Sequence, residues 1–266
     1  MSETIAASLV KELRDLTGAG MMDCKRALEE TGGDLEEARR ILREKGIAAA
    51  GKRAGRETSE GKVLTRVEER ERGALVAVGC ETEPVSRNEE FLAYAQHILD
   101  VVYTEGPEAA RDLEEERVEL VAKIGENIEV RGTARFEAGS GEVLAAYVHP
   151  PAEKIGVLVR ARASVELARQ LAMHIAASRP RYVSRDDVPE QEIATERSIY
   201  EKLPEVGEKP EHIRPQIVEG MLAKRFFADT VLEDQQWIHD DSKKVGQVLR
   251  EHEAGVHEFV RFSLAE

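Results

Sequence analysis

The sequence predicts an α+β protein. A module of three short helices precedes a duplicated core of antiparallel sheets and helices, and a helical hairpin is inserted late in the chain. Three observations support this prediction. Apolar residues recur at helical spacing up to about residue 46, two later segments each form a strand pair followed by a helix, and two charged amphipathic runs come after them. Since strands and helices do not alternate one by one, antiparallel sheets covered by helices are favoured over a parallel sheet.

The first predicted helix ends at a glycine corner. Ile5, Leu9, Leu13 and Leu16 fall on one helical face, and Gly18 follows where a helix commonly ends with positive φ. The stretch "LTGAGMMDCKRAL" contains two glycines, but no buried strand precedes them and no third glycine or Gly-Lys-Ser/Thr follows. A helix corner is therefore favoured over a phosphate-binding loop.

Two further helices complete the N-terminal module. Residues 22–30 and 35–44 have helical periodicity, and Asp34 in "TGGD" is suited to cap the second of them. Residues 1–46 are therefore expected to form a compact three-helix module. The connector that follows, residues 47–61, is rich in small, polar and basic residues and is expected to be partly helical at most.

The core is an internal duplication. Residues 61–78 and 141–161 each contain two apolar runs around a polar turn, which is typical of a β-hairpin. A helical segment follows each of them, at residues 88–102 and 164–178, and both helices contain Ala-x-His-Ile. Two copies of one strand-and-helix unit are therefore predicted.

The duplication divides the core into an N-terminal subdomain, residues 62–138, and a C-terminal subdomain, residues 139–266. Within the second, two amphipathic runs joined by "PEVGEKP" predict an antiparallel helical hairpin at about residues 187–228. A helix in "SKKVGQVLREHE" and a strand in "VHEFVRFSLA" follow. That last strand is expected to complete the second sheet.

The two copies differ in the segment between strand and helix. From Gly73 to Ala95 is 22 positions, whereas from Gly156 to Ala172 is 16. The first copy therefore holds six extra residues, around "ETEPVSRN". Because loops built on a rigid scaffold often carry function, this loop is a candidate site.

The charge of the chain disfavours nucleic acid as the main partner. Lys and Arg number 38 against 52 Asp and Glu, which gives a net charge of −14. Residues 1–56 carry 11 basic and 10 acidic side chains, so the remainder carries 27 and 42. Since binding to phosphates needs a basic surface, no direct contact with nucleic acid is expected.

Cysteine usage and hydropathy predict a soluble, cytoplasmic protein. Cys24 and Cys80 lack the spacing of a zinc site or a disulfide framework, which suits a reducing compartment. The N-terminus is too polar for a secretion signal, and no apolar run is long enough to span a membrane.

The seven histidines form no catalytic constellation. His97 and His174 occupy the same place in the duplicated helices, which favours a packing role for both. His252 and His257 flank a helix-to-strand break and do not share a helical face. His149 ends a strand before two prolines, where either a contact role or a plain turn fits it.

Other signs of catalysis are absent from the sequence. Acidic runs such as "EERER" supply carboxylates, but nothing pairs them with a nucleophile, a metal-ligand cluster or a buried base. No Gly-x-Ser-x-Gly elbow or kinase signature is present. The chain is therefore expected not to be an enzyme, to bind no metal and to need no cofactor.

The stretch "LVKELRDLTGAGMMDCKRAL" closely resembles the N-terminal module of the bacterial elongation factor Ts family. The motifs "EEERVELVAKIGENI", "AMHIAASRP", "VEGMLAKRF" and "VGQVLREHEAGVHEFVRF" recur in the family's order, so the resemblance spans nearly the whole chain. It implies a three-helix module like a ubiquitin-associated (UBA-like) domain, a duplicated α+β core and a helical hairpin. This outline agrees with the one that the periodicity predicts.

The resemblance implies a guanine-nucleotide exchange factor for the translation GTPase elongation factor Tu (EF-Tu). Such a factor promotes release of GDP and Mg²⁺ so that GTP can bind. The alternative is a protein-binding adaptor of the ubiquitin-associated type without exchange activity.

Two sets of partner contacts follow from the position of residues in the family's motifs. Arg14, Met21, Met22 and Lys25 correspond to the surface that grips the nucleotide domain of EF-Tu. The alternative for the two methionines is a place in the core of the module, since paired methionines in a helix turn usually pack inside.

The resemblance also implies contacts from the core. Ile124 and Gly125 lie in the "VAKIG" motif, and His149 ends the first strand of the second copy. All three are expected on the surface that meets EF-Tu.

The loop with the extra residues contains Thr82, Glu83, Pro84 and Val85. In the family this loop commonly has the sequence Thr-Asp-Phe-Val and intrudes beside the Mg²⁺ site of the GTPase, with the phenylalanine as a wedge. Glu83 keeps the carboxylate one methylene further out, whereas Pro84 removes the wedge and fixes φ. The hypothesis is that the carboxylate and a stiff backbone act on the Mg²⁺ shell, with the wedge secondary or replaced by Val85.

Overall fold

The computed structural model describes residues 5–265, and its first elements are three helices. These are α1 (Ala7–Thr17), α2 (Met21–Glu30) and α3 (Leu35–Arg53). They enclose a small apolar core of their own, which contains the buried side chains of Val10, Leu13, Cys24, Ala27, Leu28 and Ala38.

The corner between α1 and α2 is a helix end, as predicted. Gly18 has a φ of 65°, and its N–H donates to the carbonyl of Arg14 at 2.7 Å. Helix α2 begins at Met21, one residue before the predicted start. Asp34 caps α3 by accepting a hydrogen bond from the N–H of Glu37 at 3.0 Å.

Helix α3 continues to Arg53, so the predicted end at residue 44 was wrong. The run Ala48, Ala49 and Ala50 supplies the strongest helix formers. Gly46 does not break the helix, because it is buried in a contact with another helix. The first half of the predicted connector is therefore helical.

The first sheet has three antiparallel strands in the order β1-β2-β3. Strands β1 (Glu60–Glu68) and β2 (Arg72–Cys80) form the predicted hairpin, and β3 (Ile128–Glu137) pairs with the other side of β2. Strand β3 is absent from the predicted elements. Only Ile128 and Val130 begin an apolar alternation there, and the residues after them are mostly polar or small.

Helices cover one face of the first sheet. They are α4 (Glu83–Ser86), α5 (Glu89–Glu105) and α6 (Glu114–Ile124), and a 3₁₀ segment, Pro107–Leu113, precedes the last of them. Because side chains alternate along a strand, every second residue of β2 faces these helices. The residues of β2 in this first core are Ala74, Val76, Val78 and Cys80.

The second copy repeats this arrangement and confirms the α+β class. Its antiparallel sheet has the order β4-β5-β6, from β4 (Val143–Val148), β5 (Ile155–Arg162) and the predicted late strand β6 (Gly255–Ser263). The two sheets pack face to face, since Leu75 of β2 and Leu158 of β5 lie in one buried cluster between them.

The two sheets approach each other closely at a glycine. A Cβ added to Gly156 would lie 2.4 Å from a side-chain carbon of Val63 on the facing sheet. Real Cβ atoms do not come so close, so a larger residue at this position would separate the sheets.

The outer face of the second sheet is covered by α7 (Val165–Ser178), which Ser164 caps by accepting from the N–H of Leu167 at 3.2 Å. The predicted helical hairpin follows. Its elements are α8 (Glu190–Glu201), α9 (Pro204–Gly207), α10 (Arg214–Met221), a π-helical continuation (Leu222–Phe227) and α11 (Ala228–Thr230).

An exposed ion pair joins the two arms of the hairpin, between Arg197 and Glu219 at 2.9 Å. Helix α12 (Val245–Glu251) then returns to the second sheet and packs in the same core as α7. The core thus has four layers: helices, sheet, sheet, helices. Across residues 5–265, no helix combines the length and the apolar character that a membrane crossing needs.

Candidate partner-binding surface

The six extra residues of the first copy form one turn of helix on a short loop. Strand β2 ends at Cys80, and α4 begins at Glu83. The side chains of Thr82, Glu83 and Pro84 are exposed, whereas Val85 is half-buried and packs on the first core. We call Thr82, Glu83, Pro84 and Val85 the inserted loop.

A turn after α6 holds the start of the inserted loop. The carboxylate of Glu126 accepts hydrogen bonds from the N–H of Thr82 at 3.0 Å and from its hydroxyl at 2.6 Å. In the opposite direction, the carboxylate of Glu81 accepts from the N–H of Asn127 at 2.6 Å. The two segments therefore hold each other through carboxylate-to-backbone hydrogen bonds, which are stronger than bonds between neutral groups.

The inserted loop is also braced internally. The hydroxyl of Ser86 donates to the carbonyl of Glu83 at 2.7 Å, and Pro84 fixes φ in the first turn of α4. The carboxylate of Glu83 pairs with Arg87 at 2.5 Å, but both side chains are exposed, so the pair adds at most about 1 kcal/mol. The carboxylate remains available to a partner.

The structure brings Ile124 and Gly125 next to this loop, as part of the same turn that contains Glu126. Ile124 ends α6 and is half-buried against the first core. Gly125 has a φ of 85° and donates its N–H to the carbonyl of Val121 at 2.9 Å. Its left-handed conformation suits glycine, and it directs the chain back towards the inserted loop.

His149 lies at the same end of the sheets but has no direct bond to the inserted loop among the described hydrogen bonds. Its side chain is exposed, and its Nδ1 lies 2.9 Å from the hydroxyl of Tyr147. The turn that it begins is held to β1 by a pair between Lys154 and Glu60 at 2.5 Å, and Glu60 is the register partner of Cys80. The link from His149 to the loop is thus indirect.

Cys80 is a neutral structural thiol beneath the loop. It is fully buried, and its S–H donates to the carbonyl of Thr82 at 3.3 Å. Burial raises the pKa of the thiol to about 12, and the carboxylates of Glu126 and Glu60 act in the same direction. Because the thiolate is the reactive form, this cysteine is not a nucleophile near neutral pH.

The second predicted surface lies on the N-terminal module. Met21 is 46% exposed and Met22 is 61% exposed, so the alternative that they belong to the core of the module was wrong. Arg14, Met21 and Lys25 line one open groove along α1 and α2, whereas Met22, the next residue after Met21, is not part of its lining. We call Arg14, Met21, Met22 and Lys25 the module surface.

The two histidines at equivalent positions have different environments. His174 is fully buried, and its Nε2 lies 3.0 Å from Oε1 of Gln235. Burial lowers its pKa to about 4. The packing role predicted for His97 was wrong, because half of its side chain is exposed and its Nδ1 lies 2.8 Å from the carboxylate of Glu116 on α6.

Two further histidines, His252 and His257, make local contacts. His252 bonds the carbonyl of Val248 through Nδ1 at 2.9 Å, and His257 lies 3.1 Å from Glu142. Among residues 5–265, no group of three or more His, Cys, Asp or Glu side chains is arranged to hold a metal ion.

These features define a two-part α+β protein whose candidate site is an open surface made by a braced loop and a helical corner. Residues 81–266 match the family model described as Elongation factor TS, and the chain belongs to that family. It is 44% identical over 270 residues to Elongation factor Ts of Shewanella amazonensis, covering 98% of this chain and 91% of that protein. It is 42% identical over 267 residues to Elongation factor Ts of Erwinia tasmaniensis and of Cronobacter sakazakii, covering 98% of this chain and 92% of each relative.

Proposed function

We propose that this chain is a guanine-nucleotide exchange factor that binds EF-Tu in its GDP-bound and nucleotide-free forms and promotes release of GDP and Mg²⁺. The observation that carries the proposal is the inserted loop, which presents an exposed carboxylate from a turn held by Glu126. Its position in the chain corresponds to the loop that acts on the Mg²⁺ site in the family.

The proposed mechanism uses the strict geometry of Mg²⁺. This ion bridges phosphate oxygens and demands near-octahedral coordination, so a small displacement of its ligands weakens the binding of both metal and GDP. In this chain Glu83 would supply the charge and the stiff turn at Pro84 would supply the displacement. Because the loop is ordered before it meets its partner, little conformational entropy is lost on insertion.

The module surface would provide a second attachment to the same partner. Exposed methionines adapt to a partner's shape, and Arg14 and Lys25 add positive charge next to them. We infer that Ile124, Gly125 and His149 contribute a third set of contacts from the end of the sheets. The exchange reaction would need no catalytic residue and no cofactor of this chain.

Exchange then follows from linkage between two binding equilibria. If the factor weakens nucleotide binding by some ratio, the nucleotide weakens binding of the factor by the same ratio. The factor would leave when GTP binds, and could act on many EF-Tu molecules in turn. We infer that this cycle runs in the cytoplasm, without direct binding of the chain to nucleic acid or membrane.

The alternative is a protein-binding adaptor of the ubiquitin-associated type, and the groove lined by Arg14, Met21 and Lys25 favours it, because the module could use this groove alone. Release of labelled GDP from cognate EF-Tu separates the two functions. Exchange activity predicts that catalytic amounts of this chain accelerate the release. Binding without any change in the dissociation rate would support the adaptor and contradict the exchange factor.

A further inference from the structure

Helix α3 takes part in two separate cores. Near its start, Ala38 is fully buried with the side chains of α1 and α2. Near its end, Ala50 is 3% exposed and belongs to the core formed by the first sheet and its helices. Ala38 and Ala50 are 12 positions apart in unbroken helix, which amounts to about 18 Å at 1.5 Å per residue. The N-terminal module is thus joined to the core by one continuous helix, which is packed at both ends.

A glycine allows this helix to lie directly on α6. Gly46 is buried in the middle of α3, and a Cβ there would be 3.0 Å from the Cβ of Ala122. A mid-helix glycine costs about 1 kcal/mol relative to alanine, so its presence at a buried contact favours a role in close approach. An exposed ion pair between Arg43 and Glu115, at 2.7 Å, spans the same helices.

A second contact fixes the other corner of the module. The side chain of Lys123 on α6 lies over Gly18, where an added Cβ would be 2.5 Å from its Cε. The ammonium group is held by the carboxylate of Glu90 in the first turn of α5. Since Gly18 ends α1, the positive charge sits beside the negative end of that helix dipole.

We infer that Gly46 and Lys123 are positioning residues, which lock the N-terminal module onto the core so that the module surface and the inserted loop are presented as one rigid body. The effect of this rigid attachment on nucleotide exchange rests on the proposed function. The rigid attachment itself is a property of the free chain. Two surfaces at a fixed separation bind one partner with a high effective concentration, because the second contact follows the first without a further search. A flexible connector would lose that advantage.

The first test measures the module's position in the free, full-length chain. Spin labels on cysteines at Glu12 and Glu105, both exposed, report the distance between module and core, while Cys24 and Cys80 are buried. The parent should give one narrow distance distribution. A broad distribution in the parent would overturn the inference.

The variants sharpen this measurement. Gly46→Leu should shift or broaden the distribution, whereas Gly51→Leu on the same helix should match the parent, since a Cβ there meets no atom within 4 Å. Lys123→Glu places a second carboxylate beside Glu90 at the surface and should also shift the distribution, which keeps the test valid if Gly46→Leu does not fold. Distributions for Lys123→Glu and any folded Gly46→Leu that match the parent would contradict the positioning role.

The second test is the dependence of GDP release on the concentration of the factor. Gly46→Leu should raise the concentration for half-maximal exchange by about tenfold while the maximal rate stays within about twofold, because the loop itself is intact. Gly51→Leu should behave as the parent does. A loss of maximal rate without a change in the half-maximal concentration would overturn the positioning role. A parent that never accelerates release would contradict the proposed function and leave the distance result standing.

Discussion

Glu126 accepts two hydrogen bonds from Thr82, one from its N–H at 3.0 Å and one from its hydroxyl at 2.6 Å. The two residues are 44 positions apart in the chain, and this contact joins the start of the inserted loop to the turn after α6. It makes the loop an ordered part of the core and holds it beside Ile124 and Gly125. The carboxylate of Glu126 therefore contributes to the stiffness that the proposed mechanism needs, together with the bond from Ser86 to Glu83 and the fixed φ of Pro84.

Replacing Glu126 by Ala should loosen the inserted loop. The N–H and hydroxyl of Thr82 lose their acceptor, so amide hydrogen exchange of Thr82, Glu83, Val85 and Ser86 should accelerate in the free protein. GDP release from EF-Tu should slow by about tenfold, which corresponds to about 1.4 kcal/mol of lost interaction. Glu119→Ala, an exposed carboxylate on α6, is the matched control. Unchanged loop protection in Glu126→Ala would show that the contact does not order the loop.

Replacing Pro84 by Ala should weaken exchange through the backbone alone. The first turn of α4 keeps its shape, but φ is no longer fixed, so the loop must lose more entropy on insertion. We expect about threefold slower GDP release and less than about 1 kcal/mol of lost stability by urea unfolding. Pro204→Ala is the control, because Pro204 also lies in the first turn of a one-turn helix, on the hairpin. Equal slowing in both variants would rule out a specific role for Pro84.

Replacing Met22 by Ala should affect binding and not folding. Because this side chain is 61% exposed, its loss should change the free energy of unfolding by less than about 0.5 kcal/mol. Affinity for EF-Tu, measured by calorimetric titration, should fall by about 1–2 kcal/mol. Ile199→Ala removes an apolar side chain that is 48% exposed on the hairpin and should leave affinity unchanged. If Met22→Ala loses stability but keeps its affinity for EF-Tu, Met22 contributes to folding and the prediction is contradicted.

Stability should fall with acid partly because of His174. Its folded pKa, about 4, is below the ordinary value of 6.5, so the unfolded chain binds more protons between these values. The contribution of His174 to the free energy of unfolding is complete above about pH 6.5 and is lost as pH falls towards 4. The total loss is on the order of 3 kcal/mol. Urea unfolding from pH 7 to 4.5 should show a smaller loss for His174→Gln than for the parent. His212→Gln, on the exposed hairpin, should keep the parent's dependence, and identical curves for all three proteins would contradict the assignment.

The parts of the fold that the sequence predicts are those set by local periodicity. The hairpin of β1 and β2 follows from alternating apolar residues, and Gly18 ends α1 because only glycine adopts that φ cheaply. The inserted loop was located by comparing the two copies of the repeat. The bond from Ser86 to Glu83 is also local, as is the N-cap of α5, where the side chain of Asn88 accepts from the N–H of Glu90, but neither was predicted from the sequence.

The parts that escaped prediction depend on contacts between distant residues. Glycine is a poor helix former, and the contact of Gly46 with Ala122 on a neighbouring helix, which helps to explain why the helix continues, has no local signal in the sequence. The different exposure of His97 and His174 could not be predicted either. The two residues share a motif, but distant elements bury only His174. The bond between Glu126 and Thr82 has no local signal, since any exposed glutamate could have been its acceptor.

The action of the inserted loop on the Mg²⁺ site of EF-Tu can be measured through GDP release by Glu83→Ala across a Mg²⁺ titration. Glu205→Ala is the matched control, because Glu205 is also an exposed, ion-paired carboxylate in the first turn of a one-turn helix. We expect Glu83→Ala to slow release by about tenfold with Mg²⁺ bound and to match the parent when Mg²⁺ is chelated. Glu205→Ala should match the parent throughout. Equal slowing of Glu83→Ala with and without Mg²⁺ would contradict an action on the Mg²⁺ site, since the loop would then act on something other than the metal.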